Sequence, residues 1–205
     1  MHVSGVIEIT ANTNAKLECV KELAHNPIMQ DVTTNKETGE LVHRNYVKAP
    51  KFNYGFIPQT WCNASLGGDN DALDLVDLSQ KALKPAMAVS DYMLLGCMGL
   101  IDQGELDVKV LAIEVTEAKE RGIRNLNDYE RQCPGAVAEI REWFRDYKTW
   151  EGKAQNHFDW DEQVLDQERT LELVMEYHNQ YRSLLTEESL NAEHGYWLGT
   201  AQDLK

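Results

Sequence analysis

Three aspartates fall within six residues in Gly67-Gly68-Asp69-Asn70-Asp71-Ala72-Leu73-Asp74-Leu75-Val76, after a Gly-Gly turn signal and before an apolar run. A regular strand would put Asp69 and Asp71 on one face and Asp74 on the other, because side chains alternate with period two. The segment therefore reads as a loop entering a strand, bent so that all three carboxylates face one space. Like charges about 4 Å apart repel by roughly 4 kcal/mol at an effective dielectric of ~20. A fold that gathers them must offset that repulsion with bound cations, protons or basic side chains. The alternative is a solvated acidic turn. The third aspartate and the buried-looking strand behind it favour a metal site.

The spacing narrows the metal. An EF-hand loop counted from Asp69 would need an oxygen ligand at its fifth position and Gly at its sixth, where Leu73 and Asp74 stand. A phosphate-cradling loop would need Lys-Ser/Thr after its second Gly, which is absent. Cys and His do not cluster with the aspartates, so zinc is disfavoured. Carboxylates alone suit a hard, oxygen-seeking ion such as Mg²⁺ or Mn²⁺.

The elements that must position these groups follow from apolar patterning. Val3 to Ile9 reads as a β-branched strand carrying Glu8. In Lys16-Leu17-Glu18-Cys19, Lys16 and Glu18 share one strand face. Asn35 to Glu40 is a polar turn before a strand from Leu41 to Val47, with His43 and Arg44 on it. Phe52 to Pro58 is an aromatic strand, and Leu73 to Leu78 lies behind the acidic loop. Tyr92 to Ile101 is apolar on both faces, as in a central strand. Asp102-Gln103-Gly104-Glu105-Leu106-Asp107 is a Gly-containing hairpin into Val108 to Ile113. It brings Asp102 and Asp107 close together and puts Asp107 and Lys109 on one face.

Two helices follow. Pro134 suits a first helical position, with Val137, Ile140, Trp143, Phe144 and Tyr147 at helical spacing. The second starts at the N-cap Asp166, with a face of Leu171, Val174, Met175, His178 and Leu185. Strands first and helices later predict an α+β protein, a closed or nearly closed antiparallel barrel flanked by two main helices. The 205 residues suit one domain, with a core over about 3–182 and an acidic tail over 183–205 pinned by Tyr196 and Trp197.

Composition excludes some functions. A net charge of −14 argues against nucleic acid or an anionic membrane as partner. Cys19, Cys62, Cys97 and Cys133 are scattered, which predicts reduced thiols and a cytoplasmic location. The N-terminus does not read as a signal peptide, and the apolar run from Tyr92 is too short to span a bilayer.

Several motifs together resemble the soluble inorganic pyrophosphatases. Asp69-Asn70-Asp71-Ala72-Leu73-Asp74 is similar to the family's D-x-D-P-x-D signature, with Ala72 in place of Pro. Val6-Ile7-Glu8-Ile9 and Asn14-Ala15-Lys16-Leu17-Glu18 resemble its first two strands. Asn53 to Trp61 resembles the eukaryotic form of its N-Y-G motif. Ile101 to Val110 resembles its second acidic cluster, and Trp143 to Lys148, followed by Gly152-Lys153, its phosphate-binding segment. The resemblance runs from about Val3 to Tyr181.

It implies a five-stranded OB-like barrel that hydrolyses pyrophosphate with several Mg²⁺ ions, Mn²⁺ being an alternative. It implies Asp69, Asp74, Asp102 and Asp107 as metal ligands, with Glu18 serving a metal that arrives with substrate. Asp71 resembles the proton acceptor of the attacking water, with Tyr54 hydrogen-bonded beside it. Lys16, Arg44, Tyr147 and Lys148 correspond to phosphate holders, Lys109 and Lys153 to supporting basic positions, and Glu8 to the cavity wall. The segment between Arg44 and Tyr54 is shorter than in eukaryotic members, which leaves Lys48 as an alternative to Arg44. A homo-oligomer is expected, a dimer ahead of a hexamer. The competing reading is a barrel of the same fold that binds metal or partner proteins without catalysis. A metal phosphodiesterase or nucleic-acid-binding barrel would want a basic, aromatic-lined groove.

Overall fold

The β-branched run at the start forms β1 (His2–Ile9), whose Ile7, Glu8 and Ile9 are buried. Two small hairpins follow, β2 (Leu17–Cys19) with β3 (Ile28–Gln30) and β4 (Val32–Thr34) with β5 (Leu41–His43). The aromatic strand is β6 (Asn53–Phe56), and β7 (Asp74–Asp77) lies behind the acidic loop. The long strands β8 (Val89–Asp102) and β9 (Glu105–Glu114) form a hairpin, followed by helices α1 (Val115–Arg121), α2 (Leu126–Gln132) and α3 (Ala136–Asp146). The chain continues through β10 (His157–Phe158), α4 (Gln167–Thr186) and α5 (Glu188–His194). A computed structural model describes residues 1–80 and 83–199; the end of the acidic tail, residues 200–205, lies outside them.

The order β1-β6-β7-β9-β8 returns to β1 through a second pairing, so five strands close a barrel and β10 is appended to β8. Its pairings are antiparallel except β7 with β9, which runs parallel. The barrel, with α3 and α4 as the main helices, is the α+β architecture expected. Period-two alternation divides the core. Leu75 of β7 and Val110 of β9 pack with Leu173, Val174 and Tyr177 of α4. Their neighbours Val76 and Leu111 pack with Val137, Ile140 and Phe144 of α3. Each such fully buried aliphatic side chain contributes about 2 kcal/mol.

One close fit and one turn conformation explain motif residues. A Cβ on Gly55 would lie 1.9 Å from the Val6 carbonyl oxygen, so the N-Y-G glycine lets β6 press against β1. The β8–β9 turn has positive φ at both Gln103 (54°) and Gly104 (97°), the backbone demanded by a tight two-residue hairpin.

Some local expectations are corrected. Apolar spacing does not announce α1, α2 or α5, because seven residues hold too few turns to show a period. Strand β5 stops at His43, where the Arg44 amide turns to the Asp31 carbonyl. Pro134 precedes α3, which is capped by Gly135 in a left-handed conformation. Asp166 does cap α4, accepting from the Arg169 amide. The buried face of α4 is Thr170, Leu173, Val174, Tyr177 and Leu184, whereas Met175 and Leu185 are more than half exposed. The face is displaced because Thr170 can be buried, its hydroxyl satisfied by the Asp166 carbonyl at 2.6 Å. Among the described residues no helix is long and apolar enough to cross a membrane.

Candidate active site

The bend in the acidic loop sits at Asn70, which has a φ of 65°. The Asn70 amide donates to the Cys62 carbonyl at 2.9 Å, and the Cys62 amide donates to the Asp71 carbonyl at 2.8 Å. The chain then enters β7 with the Leu73 amide on the Thr60 hydroxyl at 2.8 Å. As a result Asp69, Asp71 and Asp74 all line one cavity of about 230 Å³, which Asp102 and Asp107 reach from the β8–β9 hairpin. Glu8 from β1, Lys16 and Glu18 from the β2 segment, and Tyr54, Phe144 and Tyr147 line it too.

One carboxylate oxygen from each of Asp69, Asp74 and Asp107 lies within 4.8 Å of the other two. The parallel register sets Asp74 opposite Lys109, a residue only 3% exposed, whose ammonium bridges Asp74 and Asp107. It also donates to the Tyr54 hydroxyl at 2.9 Å. Burial opposes the Lys109 charge, yet Asp107 and Asp74 push its pKa well above the lysine range. Burial, reinforced by the Asp107 charge, raises Asp69 to about 7. One ammonium thus serves two carboxylates, yet burial also pushes Asp74 well above the usual carboxylate range despite Lys109, so the trio as a whole is short of positive charge. Hard oxygen donors short of positive charge fit a Mg²⁺- or Mn²⁺-like ion.

The remaining acidic groups carry partners of their own. Asp102 stands apart from the trio, accepting from the Tyr147 hydroxyl at 2.8 Å and from the Lys148 ammonium. Glu18 accepts from Lys16, which also donates to Asp31 at 2.8 Å. Glu8 accepts from the Cys19 amide at 2.6 Å, and burial pushes it up to about 8. Asp71 is more than half exposed and accepts from Lys21.

Not every expected residue reaches the cavity. Arg44 joins Lys16 on Asp31 at 2.9 Å, one carboxylate back from the wall. Lys48 lies 4.2 Å from the centre of the Trp150 ring, outside the cavity lining. Lys148 touches the site through Asp102, while Lys153 pairs with Glu151 at 3.1 Å outside it. The expected Tyr54–Asp71 hydrogen bond is replaced: the Tyr54 hydroxyl donates to Asp74, which the β6–β7 pairing holds nearby. Lys21, Tyr46 and Tyr196 also line the cavity, outside the residues that the motifs indicate. No local motif announces them, because their partners are remote in sequence.

Comparison with known proteins extends this geometry. The family model described as inorganic pyrophosphatase matches residues 5–182. The soluble inorganic pyrophosphatase 1, chloroplastic, of Chlamydomonas reinhardtii is 36% identical over 199 residues, covering 94% of this chain and 69% of that protein. The mitochondrial inorganic pyrophosphatase of Saccharomyces cerevisiae is 34% identical over 198 residues, covering 90% and 62%. The chain thus spans about two thirds of the length of these relatives. A crystal structure of N-terminally truncated Trypanosoma cruzi vacuolar soluble pyrophosphatase in complex with PPi matches with a TM-score of 0.83 and 29% identity, covering 90% of this chain and 70% of that one. The organelle designations of the first two overturn the cytoplasmic expectation, since free thiols do not separate the cytosol from other reducing compartments. The matched family spans the barrel, the acidic loop and the Tyr147-Lys148 segment alike, and the chain belongs to the inorganic pyrophosphatase family.

Proposed function

We propose that this chain hydrolyses pyrophosphate to two phosphates, with divalent cations held by Asp69, Asp74 and Asp107 and further acidic ligands in Asp102 and Glu18. The observation that carries the reading is the convergence of the three aspartate oxygens beside the ammonium of Lys109 and the Tyr147–Lys148 pair. The PPi-bound Trypanosoma cruzi relative supports the substrate. Mg²⁺, with Mn²⁺ as a substitute, would neutralise substrate and carboxylates and acidify the attacking water.

The chain's own groups divide the remaining work. In this reading Asp71, which lines the cavity and is more than half exposed, takes the proton from water. Tyr54 holds Asp74 in place. Lys16 and Lys109 each pair with two carboxylates here and Lys148 with one; with phosphate in the cavity they and the Tyr147 hydroxyl become its donors. Arg44 steadies Asp31 and Lys16 behind them. Glu8 supports the wall through the Cys19 amide, and a homodimer is part of the same reading. The test is phosphate release from pyrophosphate with Mg²⁺ and with chelator added. Strong release that vanishes with chelator is expected; no turnover by folded, metal-supplied protein overturns the proposal.

A further inference from the structure

The segment after α5 does not run off into solvent. Tyr196 lines the catalytic cavity, and its hydroxyl donates to the Asn70 carbonyl at 3.0 Å. The same carbonyl accepts from the Lys21 ammonium at 2.6 Å, and that ammonium then reaches the Asp71 carboxylate at 2.5 Å. Asn70 is also held by its side chain, which accepts from the Trp61 indole at 2.9 Å and faces the His194 carbonyl. Lys21 is fixed in turn. Its carbonyl accepts from the Trp197 amide at 2.7 Å and from the Asn26 side chain at 2.8 Å. The Trp197 ring packs on His25 with centroids 4.8 Å apart.

We infer that Lys21 and Tyr196 are positioning residues that hold Asp71 by gripping the Asn70 peptide, making the C-terminal segment a wall of the active site. Asn70 is the left-handed residue of the bend, so rotation of its peptide would swing Asp71 away from Asp69 and Asp74. A carboxylate more than half exposed would otherwise sample several rotamers. Lys21, with a side chain 15% exposed, ties that carboxylate to the same peptide that Tyr196 pins. The inference rests on Asp71 being the proton acceptor proposed above.

The test uses full-length Lys21→Met, Lys21→Arg and Tyr196→Phe proteins. Lys21→Met leaves the backbone bond to Trp197 in place and removes the ammonium's two contacts, to the Asn70 carbonyl and the Asp71 carboxylate, whereas Tyr196→Phe keeps the ring and removes only the bond to Asn70. Lys21→Met is expected to lower kcat roughly tenfold to a hundredfold, with KM for pyrophosphate within about twofold. Lys21→Arg should recover most of the loss, and Tyr196→Phe should lower kcat by roughly threefold or more. In metal-free protein, Lys21→Met and Tyr196→Phe should both speed amide hydrogen exchange in the 62–75 segment. Added to Asp71→Asn, Lys21→Met should cost no further activity.

Wild-type kcat and exchange in Lys21→Met would overturn the inference. So would a loss confined to KM, which would make Lys21 a phosphate ligand, or an undiminished loss in the Asp71→Asn background. If the wild-type chain turns over no pyrophosphate, the functional reading fails on its own. The exchange comparison then decides whether Lys21 and Tyr196 hold the loop.

Discussion

Lys109 stands opposite Asp74 in the parallel β7–β9 pairing, and its buried ammonium ties Asp74 to Asp107, two residues away on its own strand. This one cation holds together, without metal, two of the three carboxylates proposed to bind it. Removing it leaves buried like charges unpaired. Lys109→Met should therefore destabilise chelator-treated protein by roughly 3 kcal/mol in urea unfolding. With Mg²⁺ added the deficit should shrink, because a divalent ion supplies the missing charge. An equal deficit with and without metal would refute the compensation.

The acidic cavity also predicts a direction for pH. Glu8 rises from 4.5 to about 8 and Asp69 from 3.8 to about 7, each chiefly through burial. Between these limits the folded state holds more protons than the unfolded chain, so stability falls as pH climbs from about 4 to 8. Melting of chelator-treated protein should show a lower Tm at pH 8 than at pH 5. Glu8→Gln should flatten that slope, since the amide has no proton to lose. Mg²⁺ should stabilise more at pH 8 than at pH 5, because it competes with protons for the same oxygens.

What could be read from the sequence was whatever the chain encodes locally. Asp69, Asp71 and Asp74 announce a bend because strand alternation cannot place them together. Asp107 and Lys109 announce a shared face because they are two apart on one strand. The barrel follows from strands that alternate or stay apolar throughout. What was illegible depends on contacts made across the fold. The Lys21 ammonium meets partners 49 and 50 residues away, and Tyr196 meets one 126 residues away. The Tyr54 hydroxyl lies on Asp74 and not on Asp71 because of the β6–β7 register, a property of pairing. Apolar spacing does not mark the inner face of α4, because Thr170 and Tyr177 are polar by type yet buried in place.

Arg44 and Lys48, the two alternatives for a further phosphate contact, differ in their surroundings, and neither lines the cavity. Arg44 shares Asp31 with Lys16, so it can act on the cavity through Lys16 or by swinging from Asp31. Lys48 rests on Trp150, away from the acidic cluster. Arg44→Ala should raise KM for pyrophosphate by roughly tenfold, the cost of about one charge-assisted contact. Lys48→Ala should leave KM and kcat within about twofold of wild type. Steady-state kinetics with saturating Mg²⁺ decides between them, and the reverse pattern would transfer the role to Lys48.

Asp71 offers the sharpest separation of chemistry from architecture. Its carboxylate is more than half exposed, lies outside the close trio and, among the described residues, makes one side-chain hydrogen bond, to Lys21. Asp71→Asn keeps the size and shape of the side chain but removes its ability to accept a proton. The loop survives, because its backbone bonds to Cys62 do not involve that side chain. Thermal stability should therefore change by no more than a few degrees, about 1 kcal/mol or less. Activity should fall by roughly a thousandfold, within the range attributed to a positioned general base. Mg²⁺ binding followed by calorimetry should persist, since Asp69, Asp74 and Asp107 are untouched. If Asp71→Asn kept most of its kcat, the proton would have to go elsewhere, and the cavity holds in Glu8 a carboxylate already poised near pH 8 to be tested next.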